Sequence, residues 1–202
     1  MYIICTDLEG VLVPEVWINV ARWTGIDELK LTTRDINDYN ALMKRRLEIL
    51  HQHSITISDI QKVISLLELM PGALEFINWL HGKAQMIVVS DTFREFADPL
   101  LEKMGWPVLF CHHLTIDKDG IITNYNLRQP EAKMRVVEAI QNLNFKVIAV
   151  GDSYNDISML RKAEMGVLFK PPQNVIDDNK DLAVVNSFLS LKKVIAEKLE
   201  IQ

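Results

Sequence analysis

The chain has 202 residues, 49% of them hydrophobic and 24% charged, with 27 acidic against 22 basic side chains and a net charge of -5. That length and apolar content suit one sizeable core or a core with a small insert, and the acidic balance argues against nucleic-acid binding or a polybasic membrane contact. No apolar run approaches the roughly 20 residues of a membrane span and no basic segment precedes the first apolar run, so a soluble, cytoplasmic protein without a membrane partner is expected.

Residues 2–6 are a short β-branched run that breaks at once into Asp7-Leu8-Glu9-Gly10, which predicts a buried strand with carboxylates at its C-terminal end. In an extended segment Asp7 and Glu9 would share a face, and Gly10 lets the backbone turn directly afterwards. By themselves they are equally an ordinary polar strand end. Pro14 then marks a helix start, and Val16, Trp17, Val20, Ala21 and Trp23 keep near-helical spacing up to Gly25. Residues 26–69 show only helix signals: Asn37 or Asp38 can cap a helix over 39–53, and Thr56 or Ser58 one that runs to about 67.

Pro71 precedes a helix over 73–80, and the run 85–89 is a strong strand that ends in Ser90-Asp91-Thr92. A helix over 93–104, a strand over 108–111 and a hairpin over 114–125, turning at Asp117-Lys118-Asp119-Gly120, follow. The remainder reads as a helix over 131–143, a strand over 147–150, Gly151-Asp152-Ser153, a helix over 155–163, short strands over 167–169 and 183–185, and a helix over 189–199. This alternation predicts a three-layer, Rossmann-like α/β core with a mainly parallel sheet, formed by residues 1–13 and 71–202, and a helical cap from residues 14–70.

Cys5 and Cys111 are the only cysteines and make no C-x-x-C pair, so neither a disulfide framework nor a zinc site is expected. His112 and His113 are neighbours on a predicted strand and point to opposite faces, which suits structural or surface roles. Three strand ends carry polar groups: Asp7 with Glu9, Ser90 with Asp91 and Thr92, and Asp152 with Asn155 and Asp156. Singly, Ser90 and Thr92 read as helix caps and Asp152 as a turn residue. In a parallel sheet, however, all three ends lie on one edge, where open α/β sheets bind their ligands.

Asp7-Leu8-Glu9-Gly10-Val11-Leu12, the strand-final Ser90, Lys133 in a helix, and Gly151-Asp152-Ser153-Tyr154-Asn155-Asp156 resemble, in order and spacing, the four motifs of the haloacid-dehalogenase (HAD) superfamily. The insert before Pro71 is similar to the cap of its phosphoserine phosphatase branch, and the Asp-Leu-Glu-Gly variant resembles bacterial members described as also passing the phosphoryl group to homoserine. The resemblance implies a magnesium-dependent enzyme that forms an aspartyl phosphate. It makes Asp7 the nucleophile, Glu9 the general acid/base, and Asp7, Asp152 and Glu9 the metal ligands, Glu9 through its backbone carbonyl or through a carboxyl group one methylene longer than the usual aspartate. It also places Ser90 and Lys133 on the transferring phosphoryl group, Asn155 on substrate or phosphate, Asp156 in support of the metal shell, and Glu15 and Arg46 on the amino and carboxyl groups of the amino acid. Asp91, like Thr92, adds a side chain to the substrate site where relatives carry glycine. The expected partners are phosphoserine and homoserine, and a homodimer stays open.

This chemistry suits these residues. A phosphate monoester repels an attacking carboxylate, a hard divalent cation offsets that charge, and a covalent intermediate divides one difficult displacement into two. Glu9 must be protonated at first encounter, and a second carboxylate nearby is expected to raise its pKa. On a helical wheel of residues 39–53, Arg46 falls within the apolar arc of Tyr39, Leu42, Met43, Leu47, Ile49 and Leu50, opposite Lys44, Arg45 and Glu48. A guanidinium facing the interior implies an anionic partner, either a core carboxylate or that of a ligand. Other readings are a phosphatase for another small monoester and a non-enzymatic phospho-acceptor module. The module is disfavoured because the chain is roughly 80 residues longer than one such domain.

Overall fold

The computed structural model describes residues 1–32, 35–36 and 38–200. Strands β1 (Tyr2–Thr6), β2 (Gln85–Phe93), β3 (Val108–Ile116), β4 (Ile122–Asn126), β5 (Lys146–Gly151), β6 (Met165–Phe169) and β7 (Ala183–Val185) form one sheet of order β4-β3-β2-β1-β5-β6-β7. Every adjacent pair is parallel except the β3–β4 hairpin. The helices are α1 (Val16–Thr24), α2 (Tyr39–Gln52), α3 (Ile57–Ser65), α4 (Ala73–Leu80), α5 (Arg94–Lys103), α6 (Ala132–Asn142), α7 (Ile157–Lys162), α8 (Gln173–Asp178) and α9 (Phe188–Leu199). The architecture is therefore the expected α/β fold with a helical insert after β1.

The sheet is covered on both faces, which is why β1 is largely apolar and not alternating. One apolar cluster joins Ile4, Val88 and Phe169 to Phe76 of α4, Phe96 and Leu100 of α5, and Phe188 of α9. The opposite cluster joins Cys5, Val89 and Val147 to Val136, Val137 and Ile140 of α6 and Met159 and Leu160 of α7. Among the described residues the insert has no core of its own: Val16, Trp17, Met43, Ile60 and Ile64 belong to the same cluster as Phe96. Trp17 meets Phe96 edge-on at 5.6 Å, and the Met70 N–H donates to the Leu12 carbonyl at 2.8 Å. That bond closes the insert at its root.

Local signals set the helix ends. Gly25 takes the left-handed conformation after α1, and the Asp38 side chain accepts from the N–H groups of Asn40 and Ala41 at the start of α2. Asn37, the alternative cap, lies outside the described residues. Thr56 and Asp59 form a reciprocal capping box on α3, which satisfies two otherwise orphaned donors.

Strand β2 runs on to Phe93, past the predicted end at Ser90. Its ladder with β3 pairs Val89 with Phe110 and then Phe93 with His112, so Ser90, Asp91 and Thr92 form a bulge that stays extended. The helix predicted over 155–163 begins instead as a 3₁₀ turn at Tyr154–Asp156. Helix α8 was not predicted, since six residues carry too little periodicity. Among the described residues, no helix is long and apolar enough to cross a membrane.

Because β1 lies between β2 and β5, strand order reverses beside it, and open sheets leave a crevice at the carboxyl ends there. The first predicted carboxylates sit at that point.

Candidate active site

Asp7 follows the last residue of β1, and its N–H continues the ladder by donating to the Val150 carbonyl at 2.9 Å. The chain then leaves the sheet: the Leu8 N–H turns back to donate to Asp7 Oδ1 at 2.7 Å. Asp7 and Glu9 therefore do not share a strand face, and their carboxylates part. Glu9 Oε2 accepts from the Val16 N–H at 2.8 Å, at the start of α1.

Gly10 makes the approach of β5 feasible. It has φ +79°, and a Cβ there would come within 2.5 Å of the Asp152 carboxyl group. Gly151 is under a similar constraint, because a side chain on it would overlap Asp156. Asp156 Oδ2 accepts from the N–H groups of Asp152 and Ser153 at 3.0 and 3.2 Å, and Oδ1 accepts from Lys133 at 2.7 Å. The backbone of residues 151–156 is thus folded around the Asp156 carboxylate.

Lys133 sits in the first turn of α6, where the helix dipole disfavours a cation. Three carboxylates offset that cost: its Nζ lies 2.7 Å from Asp156, 3.0 Å from Asp7 and 3.5 Å from Asp91. Burial alone would lower the Lys133 pKa, but Asp156, Asp7 and Asp91 reverse this and hold it well above its ordinary value. Burial first, then Asp156, raises the Asp7 pKa well above the carboxylate range, with Lys133 opposing. Burial, Asp156 and Glu15 push Asp152 up to about 7.

Oxygens of Asp7, Asp152 and Asp156 all lie within 4.8 Å of one another, and all three residues are buried. Such crowding of like charge, built from hard oxygen donors, fits a small divalent cation. Asp156 carries three contacts, with two N–H groups and Lys133, and Asp7 carries two, with the Leu8 N–H and Lys133, so Asp7 and Asp152 have the greater capacity to hold it. The Glu9 side chain stands outside this cluster.

Burial raises the Glu9 pKa, while the Val16 N–H, the Thr92 hydroxyl, Arg46 and Lys133 oppose the rise. This corrects one expectation: desolvation, not a neighbouring carboxylate, is what favours the protonated form.

The site opens into a cavity of about 360 Å³ lined by Asp7, Glu9, Glu15, Trp17, Arg46 and Lys133 among others. Ser90, Asp91, Asp152 and Asn155 also reach it. All the residues singled out in the sequence line this one cavity except Asp156, which lies beneath it. Arg46 is 7% exposed. Its Nη2 donates to the Leu31 carbonyl at 2.8 Å, its guanidinium stacks 4.4 Å from the Trp17 ring centroid, and its Nε has no hydrogen-bond partner. Burial lowers its pKa to about 10, so it is still charged near neutrality. Among the described residues no carboxylate forms a salt bridge with it, so the core ion pair weighed as an alternative is not found there.

Three contributors escaped the sequence reading. Tyr39 lines the cavity and donates its hydroxyl to the Asp91 carbonyl at 3.4 Å. Trp17 was visible only as an apolar position of α1. His112 is 3% exposed and faces Asp91, with Nε2 at 3.5 Å from Oδ1, while His113 points to solvent. The expected opposite faces are observed, but the inner one reaches the site wall.

A family model for haloacid dehalogenase-like hydrolases matches residues 3–164. The chain is 49% identical over 193 residues to phosphoserine phosphatase ThrH of Pseudomonas aeruginosa, covering 96% of this chain and 94% of that one. It is also 49% identical to a phosphoserine phosphatase of Pseudomonas syringae pv. tomato, over 95% of this chain and 81% of that one. Among solved structures it resembles a phospho-aspartyl intermediate analogue of phosphoserine phosphatase, with TM-score 0.77, 22% identity, and 95% and 97% coverage of the two chains.

Proposed function

The chain belongs to the haloacid dehalogenase-like hydrolases, and from that premise we propose that it is a magnesium-dependent phosphoserine phosphatase working through an aspartyl phosphate on Asp7. The observation that carries this reading is one cavity with a buried carboxylate–ammonium floor, Asp7, Lys133 and Asp152, and a buried, incompletely partnered arginine, Arg46, in its wall. The names of the two Pseudomonas relatives support phosphoserine as the substrate.

In this mechanism an Asp7 carboxylate oxygen attacks phosphorus, the P–O bond to serine breaks, and Glu9 gives its proton to the departing serine oxygen. Lys133 and the Ser90 hydroxyl offset charge on the peripheral phosphoryl oxygens, and Asn155 contacts them from the side. Glu9, now ionised, takes a proton from the incoming nucleophile, which attacks phosphorus and frees Asp7. A magnesium ion held by Asp7, Asp152 and the Glu9 carbonyl would offset the phosphate charge when bound. Residues 14–70 would serve as the cap, with Arg46 gripping the substrate carboxylate and Glu15 its ammonium.

We extend the reading to homoserine as a second acceptor. The ThrH relative's name points that way, and the Thr92 hydroxyl bonded to Glu9 and the Asp91 carboxylate beside it narrow the acceptor side of the cavity. A magnesium-dependent assay of phosphoserine against a panel of monoesters, with and without homoserine, tests both statements. Phosphoserine should be hydrolysed fastest, and homoserine should divert part of the phosphoryl flux to phosphohomoserine. Asp7→Asn should bring every reaction to background. Equal rates on all esters would remove the amino-acid specificity, and an undiminished Asp7→Asn enzyme would remove the nucleophile.

A further inference from the structure

Asp91 is a half-buried carboxylate to which the phosphoryl-transfer steps above assign no task. It stands in the β2 bulge, where two residues more than the β3 ladder needs lift Ser90–Thr92 out of register. Its Oδ2 accepts from Asn155 Nδ2 at 2.8 Å and lies 3.5 Å from Lys133 Nζ, and its Oδ1 faces His112 Nε2 at 3.5 Å. The tautomer of His112 follows from its other nitrogen, because Nδ1 accepts from the Arg128 N–H at 3.1 Å and so carries no proton. The hydrogen is on Nε2, the nitrogen that lies 3.5 Å from Asp91 Oδ1. Asp91 also divides the 360 Å³ catalytic cavity from a neighbouring one of about 600 Å³, and His112 lines the latter.

We propose that His112 and Asp91 form a positioning pair that fixes the Lys133 ammonium and the Asn155 amide where they meet the phosphoryl group. This rests on the role given above to Lys133 and Asn155. Asn155 stands on an exposed 3₁₀ turn, with its Oδ1 accepting from the neighbouring Ser153 hydroxyl. Asp91 is its tie to the sheet. Lys133 Nζ already contacts Asp7 and Asp156, and Asp91 supplies the third carboxylate that fixes its position. His112 in turn stops the Asp91 carboxylate from rotating, because its own ring is locked by the Arg128 amide. A pair of this kind acts on the phosphoryl end of any substrate and ignores the amino-acid end.

The test uses full-length protein with magnesium and measures phosphoserine and p-nitrophenyl phosphate turnover, inorganic phosphate binding by calorimetry, and melting temperature. His112→Phe should lower kcat by roughly 10- to 100-fold on both esters, the range seen when an outer partner of a functional group is lost. His112→Gln, whose amide N–H reaches the same place, should recover to within about threefold of wild type. Asp91→Asn should resemble His112→Phe, and the double variant should lose no more than the worse single one, because the two act as a unit. Phosphate affinity should fall in the same variants, which keeps the measurement informative even if phosphoserine proves not to be the substrate. The pair is overturned if Phe and Gln at 112 behave alike, if the double variant multiplies the losses, or if the losses track melting temperature alone.

Discussion

The floor and the roof of the cavity are built on opposite electrostatic plans. On the floor, Lys133 is ringed by Asp7, Asp91 and Asp156, and the Asp156 carboxylate accepts from two backbone N–H groups and that lysine. In the roof, Arg46 is as deeply buried, yet it holds one carbonyl, a thioether and an aromatic face, and its Nε bonds nothing. A buried charge with a complete set of partners is rigid before any ligand arrives. One left incomplete keeps free energy in reserve for a ligand carboxylate, since the desolvation cost has already been met by folding. Under the function proposed above, the floor serves a reaction that is the same for every substrate, and the roof the choice among substrates.

The comparison breaks hardest at Lys133. Lys133→Met keeps the volume but leaves Asp7 and Asp156 buried without their cation, and breaking a buried pair in this way costs about 3–5 kcal/mol. We expect a melting temperature lower by about 10 °C and turnover near background on every ester, read by differential scanning calorimetry and phosphate release. A stable, active Lys133→Met protein would mean that the floor is not a single ionic unit.

The roof should break selectively. Arg46→Ala removes a charge-assisted hydrogen-bond donor set worth about 1.5–3 kcal/mol, so KM for phosphoserine should rise about 10- to 100-fold while KM for an ester lacking the carboxylate hardly moves. Equal effects on both esters would assign Arg46 to the framework and erase the contrast between the two regions.

The two regions were also unequally legible. The strand-end motifs Asp7-Leu8-Glu9-Gly10 and Gly151-Asp152 could be read because a buried strand followed by an acidic turn has few other uses, and parallel topology brings such turns together. Arg46 could be read because one cation on an apolar helical arc is a local contradiction. His112 could not: alternation says that two adjacent histidines face apart, but which of them faces the site depends on the β2 bulge, and no residue pattern announces a bulge at Ser90–Thr92. The direction of the Glu9 side chain escaped for a similar reason. The residue pattern implies extended geometry through residue 9, whereas the chain turns at Leu8 and seats the Glu9 carboxyl group at the start of α1.

The smallest effect concerns the charge left over on the floor. Asp152 is pushed up to about 7, first by burial and then by Asp156 and Glu15, against an unfolded value of ~3.9. A carboxyl whose folded pKa is raised opposes folding when ionised, so metal-free protein should gain stability as pH falls from above 7 toward 4, and lose it as pH rises through 7. A divalent cation that needs the ionised form reverses the trend. Magnesium should therefore raise the melting temperature by several degrees at pH 8 and by much less at pH 6, when each is compared with chelator-treated protein. A magnesium shift that does not change with pH would place the cation away from Asp152, and the floor would then have to tolerate its crowded carboxylates without one.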